Sequence, residues 1–380
     1  MGPLAGIRIV ELAGIGPGPM CAMLLADLGA EVILVERTGE SGLGVPLKRH
    51  FAVTSRGRKS IALDLKKPEA IETVLRLIEK SDGLIEGFRP GVMERLGLSP
   101  EICMARNPKL VFGRMTGFGQ HGPLAHAAGH DINYISLTGA LHAMGRKGDK
   151  PVPPLNLVGD FGGGALYLAF GMMAAMLRAQ KTGEGDVVDA AMVDGAASLM
   201  AMFYGLTAAG RWTDHRGQNI LDTGAPWYDV YETKDGKYFA IGAIETKFFA
   251  VLADRIGLTE EDRKRQYDVG YWPTLKARIT DIMKTKTRDE WSAILEGTDA
   301  CATPVLSIAE APSHPHMAAR KTFENRAGVV QPAAAPRFAR AGAPTVAPPP
   351  ESGAQTKELL ALASYSEPEI AAMLASGVAV

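Results

Sequence analysis

The strongest constraint on what this chain can fold into is an alternation repeated through its first 115 residues. Short apolar runs, bounded by turn residues, are separated by stretches with helical patterning. Ile7–Leu12 (IRIVEL), Glu31–Glu36 (EVILVE), Ser60–Leu65, Gly83–Glu86 and Lys109–Arg114 (KLVFGR) have the length and composition of buried strands. Between them, Met20–Leu28 reads as a helix closed by Gly29, and a second helix opens at Pro68 (PEAIETVLRLIEKS). Strands that alternate with helices in this way bury both faces only in a parallel sheet covered by those helices. The pattern therefore predicts a doubly wound, Rossmann-like α/β domain.

Beyond about Arg211 the chain changes character. A Gly/Asn/Thr/Pro stretch (RGQNILDTGAP) leads into Trp227–Glu232 and Tyr238–Ala243, two alternating runs around Lys234-Asp235-Gly236-Lys237. The Asp-Gly pair predicts a β-hairpin. Lys247–Ile256 and charged helices as far as Glu296 complete a smaller α+β unit. Gln331–Pro350 is Pro/Ala-rich and reads as an extended arm on a surface, followed by a capped helix from Ser366. The expected division is a large domain of residues 1–200 and 330–380, a linker 201–224 and a small domain 225–325. Two uncharged stretches, Gly162–Leu177 and Gly195–Gly210, are shorter than the roughly 18–20 residues of a membrane span and read as buried helices.

Several functional classes drop out. Lys and Arg number 41 against 42 Asp and Glu, a net charge of −1 without a basic stripe, which argues against nucleic-acid binding. Cys21, Cys103 and Cys301 are scattered, with no CxxC, so neither a disulfide framework nor a zinc site is expected, and a reducing cytoplasm is. No signal peptide or lipid anchor is read at the N-terminus. There is no GxSxG elbow, P-loop or HExxH. His126 and His130 are four apart, but Ala127-Ala128-Gly129 between them reads as loop, so no metal is expected. Gly14-x-Gly16-x-Gly18 follows a strand, with Glu36 ending the next, which is most of a dinucleotide fingerprint. The third glycine is one place early, and Pro17 and Pro19 lack the N–H groups a pyrophosphate needs. The segment reads as a tight turn.

Three segments carry candidate chemistry: Gly129-His130-Asp131-Ile132-Asn133-Tyr134, Asn156-Leu157-Val158-Gly159-Asp160-Phe161-Gly162-Gly163-Gly164, and Glu245 after the second hairpin strand. Singly, each has a structural explanation: a polar-loop histidine, a helix N-cap and a first-turn glutamate. Together they suit removal of a proton from carbon on one face and its return on the other. That reaction needs two bases of near-neutral pKa and donors for an enolate oxygen. An imidazole ordinarily titrates near 6.5, whereas a carboxyl must be raised by burial to match it.

These residues, with Leu12–Pro19, Ala26–Val32, Ala62–Lys66, Phe88-Arg89-Pro90-Gly91-Val92 with Arg95, Gly117–Gln120, Gly159–Gly164 and Gly242–Glu245, resemble the α-methylacyl-CoA racemases of the CaiB/BaiF group, CoA-transferase family III. The resemblance covers essentially the whole chain. It implies His130, supported by Glu245, on one face of the α-carbon, Asp160 on the other, and the Asp131 backbone N–H as a donor to the thioester oxygen. It places CoA along the large domain: Arg37 near adenine, Leu63, Asp64, Leu65 and Lys66 near the nucleotide, Arg89 and Arg95 near phosphates, and Tyr134 beside the pantetheine. Gly87, Gly129 and Asn133 are further contacts. It implies roles in fatty-acid and bile-acid metabolism, an interlaced homodimer in which Glu245 comes from the partner chain, and no cofactor, CoA being part of the substrate. Transferases of the group use an aspartate matching Asp160 as nucleophile and normally lack a histidine at position 130, which makes CoA transfer the alternative activity. Ser55, Thr223 and Thr246-Lys247 depart from the group, which commonly has Asn, Gly and Pro-Gln there. The 16 methionines include Met20, Met144, Met172, Met173, Met176, Met192, Met200 and Met202, expected to form a pliable surface for the acyl chain.

Overall fold

A computed structural model describes residues 1–39, 42, 44–342 and 344–380. The chain forms two units. The first is Met1–Thr138, Leu155–Met200 and Phe323–Val380; the second is Gly139–Pro154 and Ala201–Thr322. The 201–224 stretch, expected as a linker, groups with the second unit because it is folded. The buried Asp222 carboxylate accepts from the N–H groups of Gly217 and Asn219 and from the Asn219 amide, at 2.7–2.8 Å.

In the first unit, β1 (Arg8–Leu12), β2 (Glu31–Glu36), β3 (Arg58–Ala62), β4 (Gly83–Glu86), β5 (Val111–Thr116) and β6 (Asp186–Ala191) form one parallel sheet, ordered β3-β2-β1-β4-β5-β6. The order reverses between β1 and β4, which opens a crevice at the carboxyl ends of those strands. Successive side chains point to opposite faces, so β1, β2, β4 and β5 each feed two cores. Val10, Ile33, Leu84 and Phe112 share one core with Val74 and Leu77 of the Pro68–Ile78 helix and with Leu359 and Ile370 near the C-terminus. Ile9, Val32, Ile85 and Val111 share the other with Leu25 of the Pro17–Asp27 helix and Leu168 and Met172 of the Leu166–Thr182 helix.

Local differences from the sequence reading have physical causes. The first helix starts at Pro17 and not at Met20, since proline is tolerated where N–H groups have no intrahelical acceptor. Strand β6 (DVVDAA) escaped notice because it is a half-exposed edge without an apolar run. The uncharged 162–177 stretch belongs to a continuous helical run, Leu157–Thr182, that by length and composition could cross a membrane; here it packs on the sheet through Leu168, Met172 and Met176. Contrary to expectation, the Ala201–Ala208 helix has no buried residue. Met172 and Met176 are core, not acyl-binding surface: their tips fill the space above Gly83, 2.7–2.9 Å from where a Cβ would lie.

Buried ion pairs bind the elements of this unit. Arg58 on β3 reaches Glu11 on β1 at 2.9 Å and the Pro19 carbonyl. Arg56 grips Asp27 and donates to Gln331 Oε1 and the Pro332 carbonyl. The C-terminal segment closes against β3: Gly57 N–H donates to the Ala347 carbonyl, Ser60 N–H to Gln355, and Val380 N–H to the Ala62 carbonyl.

The second unit carries an antiparallel sheet of β7 (Tyr228–Glu232), β8 (Tyr238–Gly242) and β9 (Ala302–Pro304). Residues 233–237 make the expected hairpin turn. Trp227, Phe239 and Ile241 share the unit's core with Phe249, Leu275 and Trp291.

Candidate active site

The turn after β1, the loops after β4 and β5, the start of the Asp131–Ser136 helix and a π-helical turn, Leu157–Ala165, surround a cavity of about 850 Å³ at the switch point of the sheet. Gly14, Gly16 and Pro17 line it from β1; Gly87, Phe88 and Arg89 from β4; Met115 and Phe118 from β5; Gly129, His130, Tyr134, Asn156, Asp160 and Met192 line it further.

The N-cap explanation of Asp160 does not hold: it lies inside the π-helical turn and its carboxylate caps nothing. Wide turns of this kind recur at functional sites because they redirect a side chain. Asp160 Oδ2 accepts from Asn156 Nδ2 at 3.1 Å, and its backbone N–H donates to Asp131 Oδ2 at 2.7 Å. Gly16, at φ +68°, leaves room for the carboxylate: a Cβ there would stand 3.2 Å from Asp160 Oδ2. Burial pushes the Asp160 carboxyl up from its ordinary range. The Asp131 charge pushes the same way, while the Asn156 hydrogen bond and the His130 charge oppose it.

His130 is exposed to the cavity at the position preceding the Asp131–Ser136 helix, and its backbone N–H donates to Asn133 Oδ1 at 3.0 Å. Tyr134 seals the wall. Its hydroxyl donates to the Gly129 carbonyl, and its ring meets Phe118 edge-on at 5.0 Å. Gly117 must be glycine here, since a Cβ would fall 2.1 Å from the Tyr134 ring. Burial, then the charges of Asp160 and Asp131, push the Tyr134 hydroxyl up to about 12.

A second cavity, of about 380 Å³, is lined by Arg37, Thr38, Gly39, Leu63, Asp64, Leu65, Lys66, Phe88, Val92 and Leu96. Phe88 borders both spaces. Of the other residues singled out from the sequence, Gly87, Arg89, Gly129 and Tyr134 line the large cavity. Asn133 instead holds the His130 backbone, and Asp131 is buried behind the wall. Arg95 is exposed and lines neither cavity. Glu245 lies in the second unit, exposed at the start of the Thr246–Ile256 helix, where its carbonyl accepts from Phe248 and Phe249. Asn156 and Phe88 were quoted only as neighbours in motifs; the four-residue spacing of Asn156 from Asp160 was the signal for the first. Among the described residues, no group of three or more His, Cys, Asp or Glu side chains is arranged to hold a metal ion.

The model of "CoA-transferase family III" matches residues 4–356. The chain belongs to CoA-transferase family III. Alpha-methylacyl-CoA racemase of Mus musculus is 43% identical over 97% of this chain and 95% of its own length; the Homo sapiens racemase is 42% identical over the same shares. Among solved structures, a CaiB/BaiF family protein from Brucella suis superimposes with a TM-score of 0.81 at 27% identity, covering 95% of this chain and 99% of that one. The switch-point cavity of this family III chain thus sits in a fold shared with solved family members.

Proposed function

We propose that this protein is an isomerase that interconverts (R)- and (S)-2-methylacyl-CoA thioesters by 1,1-proton transfer at the α-carbon. The observation that carries the reading is that an imidazole, His130, and a carboxyl raised by burial, Asp160, open into one cavity. One group, unprotonated, takes the α-proton and leaves an enolate. The other, protonated, returns a proton to the opposite face. Protons balance, and the enzyme ends in the protonation state that runs the reverse reaction. The Asp131 backbone N–H is the donor to the thioester oxygen, where enolate charge gathers. The likeness to the two mammalian racemases over nearly the whole chain supports the same activity.

On this reading CoA is part of the substrate, and the chemistry requires no further cofactor. The nucleotide occupies the cavity lined by Arg37 and Leu63–Lys66, and the pantetheine passes Phe88 and Arg89 toward Tyr134. The working form is a homodimer in which the partner chain supplies Glu245 to His130. Apolar side chains left exposed on helices, Phe170, Leu177, Leu199 and Met202, support burial against a second copy.

The test is incubation of either epimer in deuterium oxide without an acceptor acid. Deuterium enters at the α-carbon and both epimers converge on a mixture. His130→Ala and Asp160→Ala each lower that exchange by about 100-fold or more. Absence of exchange together with CoA transfer to an added carboxylate overturns the proposal in favour of a transferase with Asp160 as nucleophile.

A further inference from the structure

We infer that the side chain of Asp131, as distinct from its backbone N–H, is a positioning residue that sets both the place and the proton affinity of Asp160. The inference deepens the racemase reading and rests on it.

Asp131 is 5% exposed and sits on the first turn of the helix that follows His130. One carboxylate oxygen, Oδ2, accepts the Asp160 N–H at 2.7 Å, pinning the π-helical turn at the residue whose side chain enters the cavity. The chain makes room for this bond. A Cβ on Gly159 would stand 2.5 Å from the same oxygen and 3.1 Å from Ile135. The other oxygen, Oδ1, is buried without a hydrogen-bond partner. A buried carboxylate oxygen left bare costs free energy in a fold that needs only an acceptor for one N–H. A serine or asparagine oxygen could accept the same bond. What a carboxylate adds is charge close to Asp160, where low polarity lets it act strongly.

Among the described residues no side chain donates to the Asp131 carboxylate, and what opposes its effect on Asp160 is the Asn156 hydrogen bond and the His130 charge. Around Asp160 stand Asp131 and Tyr134 from one helix, His130 before it, Asn156 on its own turn and the uncharged Gly16. Arg89 faces Tyr134. Other charged groups on the elements packed against the turn are engaged or exposed: Asp27 is held by Arg56, Arg114 by Glu86 and Glu94, Asp189 accepts from Gln120, and Asp194 is exposed. Burial comes first in favouring the protonated form of Asp160, the form able to return a proton to the enolate, and Asp131 is the negative group that adds to it.

The test is the pH profile of kcat/KM for α-deuterium exchange in Asp131→Asn, which keeps an acceptor for the Asp160 N–H and removes the charge. The acid limb moves down by on the order of half to one pH unit, while the alkaline limb stays. A folded variant whose acid limb does not move overturns the inference, whatever its rate. Gly159→Ala, which displaces the Asp131 carboxylate, gives the same downward shift and serves if Asp131→Asn does not fold. Titration of the ¹³C-labelled Asp160 carboxyl by NMR reads the same quantity without turnover. An ordinary aspartate value in the wild-type protein also overturns the inference. If the wild type catalyses no exchange but that carboxyl titrates high and falls in Asp131→Asn, the racemase reading fails and the positioning role stands.

Discussion

Thr223 holds a backbone φ of +75°, a left-handed conformation in which a β-branched side chain crowds its own carbonyl. The strain cannot pass to the next residue, because a Cβ on Gly224 would stand 2.4 Å from the Gln218 backbone. It is also held from outside by Lys276, which donates to the Thr223 carbonyl. Thr223→Gly is expected to stabilise the second unit by about 1 kcal/mol, net of the added freedom of the unfolded chain. A thermal unfolding midpoint that rises records this, and one that falls shows that the threonine side chain offsets its own strain. Single residues of this kind were partly legible in the sequence. Position 223 stood out as a departure from the family resemblance, which implies glycine there. His130 stood out as an imidazole between a glycine and a carboxylate, and Asp160 as a lone carboxylate among glycines at the mouth of a nearly uncharged helix. The part of Asp131 was not legible, since nothing in a linear sequence shows which N–H a carboxylate twenty-nine positions away will accept.

At the scale of elements, short helices in the second unit depend on side-chain anchors as much as on propensity. Asp262 accepts from the Thr259 N–H and hydroxyl, the Tyr271 hydroxyl and Arg278, with its nearest oxygens at 2.5–2.9 Å. Burial works against its charge, but the Thr259, Arg278 and Tyr271 bonds outweigh it and hold the carboxyl at about 2, below its ordinary 3.8. A carboxyl lowered by folding contributes stability that is present above its unfolded value and lost as pH falls through its folded one. The difference in midpoint between wild type and Asp262→Asn should be widest above pH 4, on the order of 2 kcal/mol, and should close between about pH 4 and 2. A constant difference across that range speaks against the assignment. Elements marked by an apolar run or a turn pair were readable: β1 to β5 and the 233–237 hairpin turn were all expected, the strand ends to within three residues. Those whose surface chemistry is mixed were not. Strand β6 pairs with β5 while showing acidic residues outward, and the Ala201–Ala208 helix is apolar yet exposed, so composition misled about its burial.

At the scale of the molecule, the two groups proposed to serve the faces of the α-carbon, His130 and Asp160, lie in the first unit, and the residue proposed to support His130, Glu245, lies in the second. If the partner chain supplies Glu245, two inactive variants complement each other. Mixing Asp160→Ala with Glu245→Ala and allowing subunits to exchange restores up to one intact site per heterodimer, about a quarter of wild-type exchange for a statistical mixture. No recovery, with exchange of subunits shown by mass, argues that each chain uses its own Glu245.

The closure of the first sheet by the C-terminal segment also sets an order of events during synthesis. The edge strand β3 is complete by residue 62, yet beyond its pairing with β2 it and the preceding Gly57 bond to Ala347, Gln355 and Val380. Until residues 347–380 have been made, that strand keeps unsatisfied N–H and C=O groups, and Arg56 waits for Gln331 and Pro332. The second unit, most of which is continuous in sequence from Ala201 to Thr322, has by then fully emerged. The unit that holds the cavity thus closes its sheet only after the other unit has been made, and a nascent chain arrested before residue 347 carries an open strand edge in need of protection.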